Sequence, residues 1–283
     1  MATLKLGERV ATGLILFNHI DHYSLYMDQV TVGWFGLLTS LSMIILVLGI
    51  SFIMRLKLNK DLVVASLRSV AQLIIAGLAL TIILKQDVSI FWSWFWIAVM
   101  IPFAARAASK REPRLPGLLW MTIIGYLVGL GTSLLVLFTM GILPLEARVL
   151  IPVAGMIIGN SLKVIVVAAT RLVDAIRDSK SEIEAMLSLG FTRHGATKRI
   201  VTETLRLSLL PQIETTRTVG IIFLPGVLTG LILAGVDPLE AALIQAVILF
   251  LILGSAAITG LIVVLCGVKV FLTSDHRLEP PRD

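Results

Sequence analysis

The chain has 283 residues, 57% of them hydrophobic and 15% charged, with a mean hydropathy of +0.96. That composition excludes an ordinary soluble domain, because the apolar residues fall in runs long enough to cross a bilayer. A formal charge of +6 and a sequence pI of about 9.7 then read as lysines and arginines held in cytoplasmic loops, not as a nucleic-acid surface.

In chain order, residues 1–32 form an extracytoplasmic amino-terminal segment. Its short apolar run, Val10 to Phe17, reads as an interfacial helix, since no small-residue cleavage site follows. His19 and His22, with Asp21 between them, have a metal-pair spacing, but a lone pair of this kind is more often incidental. Seven spans follow, at 33–54, 61–83, 89–105, 117–140, 149–170, 208–234 and 240–266. The sixth contains Pro211 and Pro225-Gly226, so it is expected to be kinked or split into two half-helices. Residues 33–272 thus form one all-α, polytopic membrane domain, and 273–283 a disordered cytoplasmic tail. The single cysteine, Cys266, allows no intrachain disulfide.

Orientation follows from the basic residues. With the amino terminus outside, seventeen of the 24 lysines and arginines fall in internal segments, four fall outside and three lie within or at the ends of spans. The long stretch 171–207 is then a cytoplasmic loop in a multi-pass protein of the cell membrane.

That loop carries Glu182-Ile-Glu184-Ala185-Met186-Leu-Ser-Leu-Gly190. Its helix formers predict a short amphipathic helix ended by Gly190. Such a helix is either a solvated juxtamembrane element or one that inserts into a partner's groove and carries the partner's motion to the spans. Glu-Ala-x4-Gly in this position is the pattern by which ABC-transporter permeases meet a separate ATPase, which makes Glu182, Glu184, Ala185 and Gly190 the candidate coupling residues. The chain has no Gly-Lys dipeptide and so no Walker A loop. It also lacks Gly-x-Ser-x-Gly, His-Glu-x-x-His and Cys-x-x-Cys. No catalytic residue is assigned, and ATP and Mg are expected on the partner ATPase, not on this chain.

Charges inside spans are costly and mark function or internal pairing. Arg68, Lys163, Glu214 and Arg217, with the polar Gln72 and Asn160, form the candidate translocation path. Glu214 and Arg217 can share a helix face, as a structural ion pair or as substrate contacts. Lys163 and Arg68 can line a pore, snorkel, or pair with Glu214. The spans hold no histidine and one cysteine, a poor set for a bare transition metal. Three cations suit an anion, a chelated metal or a sugar nucleotide better, and no metal-ligand set is assigned. Gly117, Gly125, Gly129 and Gly131 suit close helix packing.

Several runs carry a family resemblance. They are Ala71-Gln72-Leu73 after Arg68, Pro152-Val-Ala-Gly155-Met156-Ile-Ile-Gly159-Asn160, the Glu182–Gly190 segment, and Val219-Gly220-Ile-Ile-Phe-Leu224-Pro225-Gly226, continuing through Thr229-Gly230 to Gly235-Val-Asp-Pro238. The chain resembles the iron-export ABC permease family, which also includes plant permeases linked to aluminium tolerance. The resemblance implies a helical membrane permease, two copies of which assemble with two ATPase chains as an exporter of a metal such as iron or of a metal complex. Leu231, Lys163 and the pair Glu214 and Arg217 stand where that family usually carries a polar residue, a small residue and neutral polar residues. An ion-coupled secondary transporter or channel is the alternative from a different class, and an ABC exporter of an anionic or sugar-nucleotide substrate is another. Membrane lipid is an expected partner and nucleic acid is not.

Overall fold

Nine helices account for nearly all of residues 34–83, 89–272 and 278, which the computed structural model describes. Among these residues the only extended pairings are two isolated bridges, Val219 with Phe223 and Leu272 with Leu278. The protein is a helical membrane protein. The chain divides into two units, residues 1–82 and 83–283.

The first unit contains α1 (Trp34–Ile53) and α2 (Asn59–Ile83). A tight turn joins them, with Arg55 and Lys57 in the left-handed region (φ 53° and 58°) and the Leu56 N–H donating to the Ser51 carbonyl at 3.0 Å. Arg55, Lys57 and Lys60 therefore collect at the junction of the two helices.

The second unit contains α3 (Phe91–Arg111), α4 (Leu118–Thr139), α5 (Ala147–Asp178), α6 (Lys180–Ser188), α7 (Arg193–Thr218), α8 (Gly226–Leu233) and α9 (Pro238–Phe271). Among the described residues, five helices are long and apolar enough to cross a bilayer: α2, α3, α4, α5 and α9. At 34 residues α9 is about 51 Å long and packs most extensively on α4 and α5.

Apolar faces gain little from meeting each other in lipid, so close backbone approach and interhelical hydrogen bonds hold such helices together. Gly125 and Gly129 of α4 meet Ser255 and Thr259 of α9. A Cβ on Gly129 would stand 2.5 Å from the Thr259 hydroxyl and 2.8 Å from the Ser255 carbonyl. Thr259 Oγ1 donates to the carbonyls of Ser255 (2.7 Å) and Gly125 (3.1 Å), and Ser133 Oγ donates to Leu251 O at 3.3 Å. Gly131 faces open space and Gly117 precedes α4, so two of the four glycines make the seam.

One end of this unit is basic. Leu115, Leu172 and Gly267 meet there, and α3, α5 and α9 finish where α4 and α7 begin. Lys110, Arg111, Arg114, Arg171, Arg177, Lys180, Arg193 and Lys269 belong to this end. Glu146, Arg148, Asp237 and Glu240 lie at the helix ends opposite.

Two expectations change, and the alternatives left for the sixth span resolve to two helices. The stretch 171–207 is not a loop but helical over most of its length: α5 runs on to Asp178, α6 follows, and α7 begins at Arg193. The reason is that no proline or glycine interrupts residues 171–189. In the sixth expected span, Pro211 lies inside α7 without ending it. The break comes at Val219–Pro225, where Gly220 has φ +91° and its N–H donates to Phe223 O at 2.9 Å. There Pro225 biases Leu224 away from helix, whereas Pro211 forfeits one hydrogen bond in an otherwise continuous helix. Finally, Leu278 of the expected disordered tail is buried against the unit. The amino-terminal segment 1–32, including His19, Asp21 and His22, lies outside the described residues, as do the other tail residues.

Candidate coupling face and polar groove

The basic end of the second unit is closed by α6 and its turn into α7. Ile183, Met186 and Leu187 recur at helical spacing and face the core, with Ile183 only 1% exposed. Glu182 and Glu184 are half-exposed on the other side. Lys180 Nζ stands 3.9 Å from Glu184 Oε1, one turn away. The end of α6 is a six-residue wrap: the Gly190 N–H donates to Leu187 O (3.0 Å) and the Phe191 N–H to Met186 O (3.1 Å). That closure needs a left-handed residue, and Gly190 has φ +86°. The Thr192 hydroxyl then accepts from the Gly195 N–H at 3.1 Å and starts α7. The turn leaves Leu189 (77%) and Phe191 (50%) exposed.

One ion pair and one three-residue charge cluster brace this end. Arg199 Nη2 of α7 donates to Glu182 Oε2 of α6 at 2.5 Å. Arg114 is held by both oxygens of Glu112 (2.8 Å each) and by Asp174 Oδ1 of α5 (3.1 Å). Glu112, just past α3, has a side chain only 3% exposed. Its hydrogen bond from Arg114 outweighs burial and holds the carboxyl below the usual carboxylate value, and the same pairing raises Arg114. Sequence reasoning missed this clamp. Glu112 and Arg114 are visible as a local charge pair, but Asp174 lies 60 residues away and only the fold brings it in.

A narrow groove of about 110 Å³ runs between α5 and α7. Asn160, Lys163, Val164 and Val167 line it from α5, and Ser208, Pro211, Gln212 and Thr215 from α7. Each set has the spacing i, i+3, i+4, i+7, one face of a helix. Ser208 and Gln212 are buried, while Lys163 is exposed. The groove thus combines a cation, amides and hydroxyls, and Pro211 has no N–H to give the Leu207 carbonyl of its own helix. The polar stripe Ser208, Gln212, Thr215 was legible as spacing once Pro211 is allowed inside a helix.

The six candidate path residues therefore separate. Asn160 and Lys163 share the groove. Glu214 and Arg217 sit further along α7 and pair with each other at 2.7 Å, both more than half exposed. Arg68 and Gln72 stand one turn apart on α2, in the other unit. Among the described residues, no group of three His, Cys, Asp or Glu side chains is arranged to hold a metal.

Comparison with known proteins matches residues 34–272 to the profile of an uncharacterised protein family, UPF0014. The chain is 32% identical to the UPF0014 membrane protein YjkA of Bacillus subtilis (strain 168), over 88% of this chain and 99% of that one. It is 30% identical to the protein named Probable iron export permease protein FetB of Escherichia coli (strain K12), over 86% and 93%. It is also 30% identical to Protein ALUMINUM SENSITIVE 3 of Arabidopsis thaliana, over 85% and 88%. No solved structure matches the chain.

Proposed function

The chain belongs to the UPF0014 family of multi-pass membrane permeases, and on that premise we propose that it is the permease subunit of an ABC exporter driven by a separate ATPase. The observation that carries this reading is the α6 cap. A nine-residue helix is anchored by a buried isoleucine, closed by a left-handed glycine and tied to α7, and it presents Glu184, Leu189 and Phe191 outward. A rigid element with a charged and apolar outer face suits a partner's groove.

Glu182, Glu184, Ala185 and Gly190 are the coupling set in this reading, with the amino terminus outside and the basic end in the cytoplasm. The partner binds ATP and Mg, and a second copy of this chain completes a two-plus-two assembly. No catalytic step falls to this chain. The α5–α7 groove supplies part of the path, with Asn160, Lys163 and Gln212 on the cargo. A metal cargo is supported by the name of the Escherichia coli relative. The cation Lys163 on the groove favours a chelated or otherwise anionic form over a bare ion.

The test is copurification with a co-expressed ATPase, then transport by the complex in liposomes. ATP-dependent export, stimulated by iron or a ferric chelate and lost with the ATPase, is the expected result. Transport by the chain alone under an ion gradient would identify a secondary transporter instead.

A further inference from the structure

We propose that the cavity between the start of α7 and the end of α9 is a binding site for the headgroup of an anionic phospholipid. The cavity holds about 320 Å³. Its polar lining is Arg193, His194 and Thr197 of α7 with Lys269 of α9, and the rest is aliphatic: Val201 of α7, Leu265 and Val268 of α9, and Leu272 just past it. Among the described residues that line it, none is acidic.

Three features select the ligand. First, the lining is half cationic or polar and half apolar, which matches a phosphate ester that carries acyl chains. Free phosphate would leave the aliphatic half unused, and a neutral lipid would leave the cations unused. Second, the depth is right. Lys269 lies in the last turn of α9, a membrane-spanning helix that ends two residues later, so the cavity opens where headgroups lie. Third, α9 provides a track. Leu261, Leu265 and Lys269 recur every four residues on one face, and Leu261 and Leu265 are exposed. An acyl chain laid along these leucines brings its phosphate to Lys269. The start of the 26-residue α7 adds the positive end of its dipole at the same point. The site rests on the membrane location of the chain and is independent of the transport reading.

The experiment uses the full-length protein, delipidated in detergent and titrated with phosphatidylglycerol, phosphatidylcholine or inorganic phosphate. Bound lipid is read by native mass spectrometry and Tm by thermal unfolding. Phosphatidylglycerol should bind and raise Tm, whereas phosphatidylcholine and phosphate should not. Lys269→Gln should weaken phosphatidylglycerol binding about fivefold. Lys269→Arg should retain it, and so should Lys198→Gln, which removes an exposed charge at the same end outside the cavity. Equal binding of phosphatidylcholine, equal stabilisation by phosphate alone, or unchanged affinity in Lys269→Gln would overturn the proposal. A photoactivatable phosphatidylglycerol tests the unmodified chain, so a poorly folding variant does not decide the matter. Adducts concentrated on Leu261, Leu265 and Val268 support the site, and adducts spread evenly over the exposed faces of α4 and α9 refute it.

Discussion

Glu182 of α6 accepts a 2.5 Å hydrogen bond from Arg199 of α7, across the Gly190 turn. Both side chains are at least half exposed, so the pair steers the helix more than it stabilises the protein. A double-mutant cycle with Glu182→Gln and Arg199→Gln should give a coupling of less than about 1 kcal/mol in thermal unfolding. Ile183→Ala, which empties the buried anchor of the same helix, should cost about 2–4 kcal/mol. A ranking in which the ion pair outweighs Ile183 would contradict this account of how α6 is held.

Gly190 is required by its backbone, not by crowding. A Cβ there meets nothing within 4 Å, but φ is +86°. Gly190→Val should therefore destabilise by about 1–2 kcal/mol through left-handed strain, and Gly190→Asn by less. If α6 couples to an ATPase, Gly190→Val should also reduce ATPase copurification while the spans remain inserted. Identical Tm values for the glycine, asparagine and valine proteins would show that the wrap at the end of α6 is dispensable.

The α4–α9 seam makes a sharper contrast. Gly129→Ala places its methyl against the Ser255 backbone carbonyl at 2.8 Å, which α9 can relieve only by moving as a helix. The expected cost is about 1–3 kcal/mol. Gly131→Ala, two residues along the same helix, faces open space and should be neutral or slightly stabilising through helix propensity. Thermal unfolding of the two variants in one detergent decides the point, and equal Tm values would remove the seam from the packing account.

The buried Glu112 makes stability pH-dependent. Its carboxyl is held below the ordinary value of 4.5, first by the Arg114 hydrogen bond, against the opposing effect of burial. A depressed carboxyl stabilises the fold fully above about pH 4.5, and that contribution is lost as pH falls through its lowered value. Tm measured from pH 7 to pH 3 should fall more steeply at the acid end for the unmodified protein than for Glu112→Gln. Arg114→Met should cost about 3 kcal/mol at neutral pH, because it strands a buried carboxylate, and acid should narrow that deficit. A deficit independent of pH would mean that Arg114 acts through packing alone.

The sequence by itself determined the class of this protein. Hydrophobic runs of bilayer length, the uneven placement of lysine and arginine, and the Glu182–Gly190 segment are local or compositional signals. Each reports a cost that no partner elsewhere in the chain can remove: exposing apolar surface to water, burying charge in lipid, or bending a helix without glycine. Gly190 was readable for that reason, since a helix of good formers must end where a left-handed residue follows.

Tertiary structure decided what depends on a partner distant in sequence. Pro211 and Pro225 look alike in the sequence, yet Pro211 rides inside α7 and Pro225 follows a broken segment, because only near Pro225 does a left-handed Gly220 add to the loss. The glycines of α4 divide by what faces them: Thr259 for Gly125 and Gly129, nothing for Gly131. Asp174 becomes the partner of Arg114, and Ser208, Gln212 and Thr215 turn to Asn160 and Lys163, only after α5, α7 and the α3–α4 turn pack together. Periodicity names the face of a helix. What that face meets is set by which helices lie close enough for their backbones and polar side chains to bond, and chain order alone does not state it.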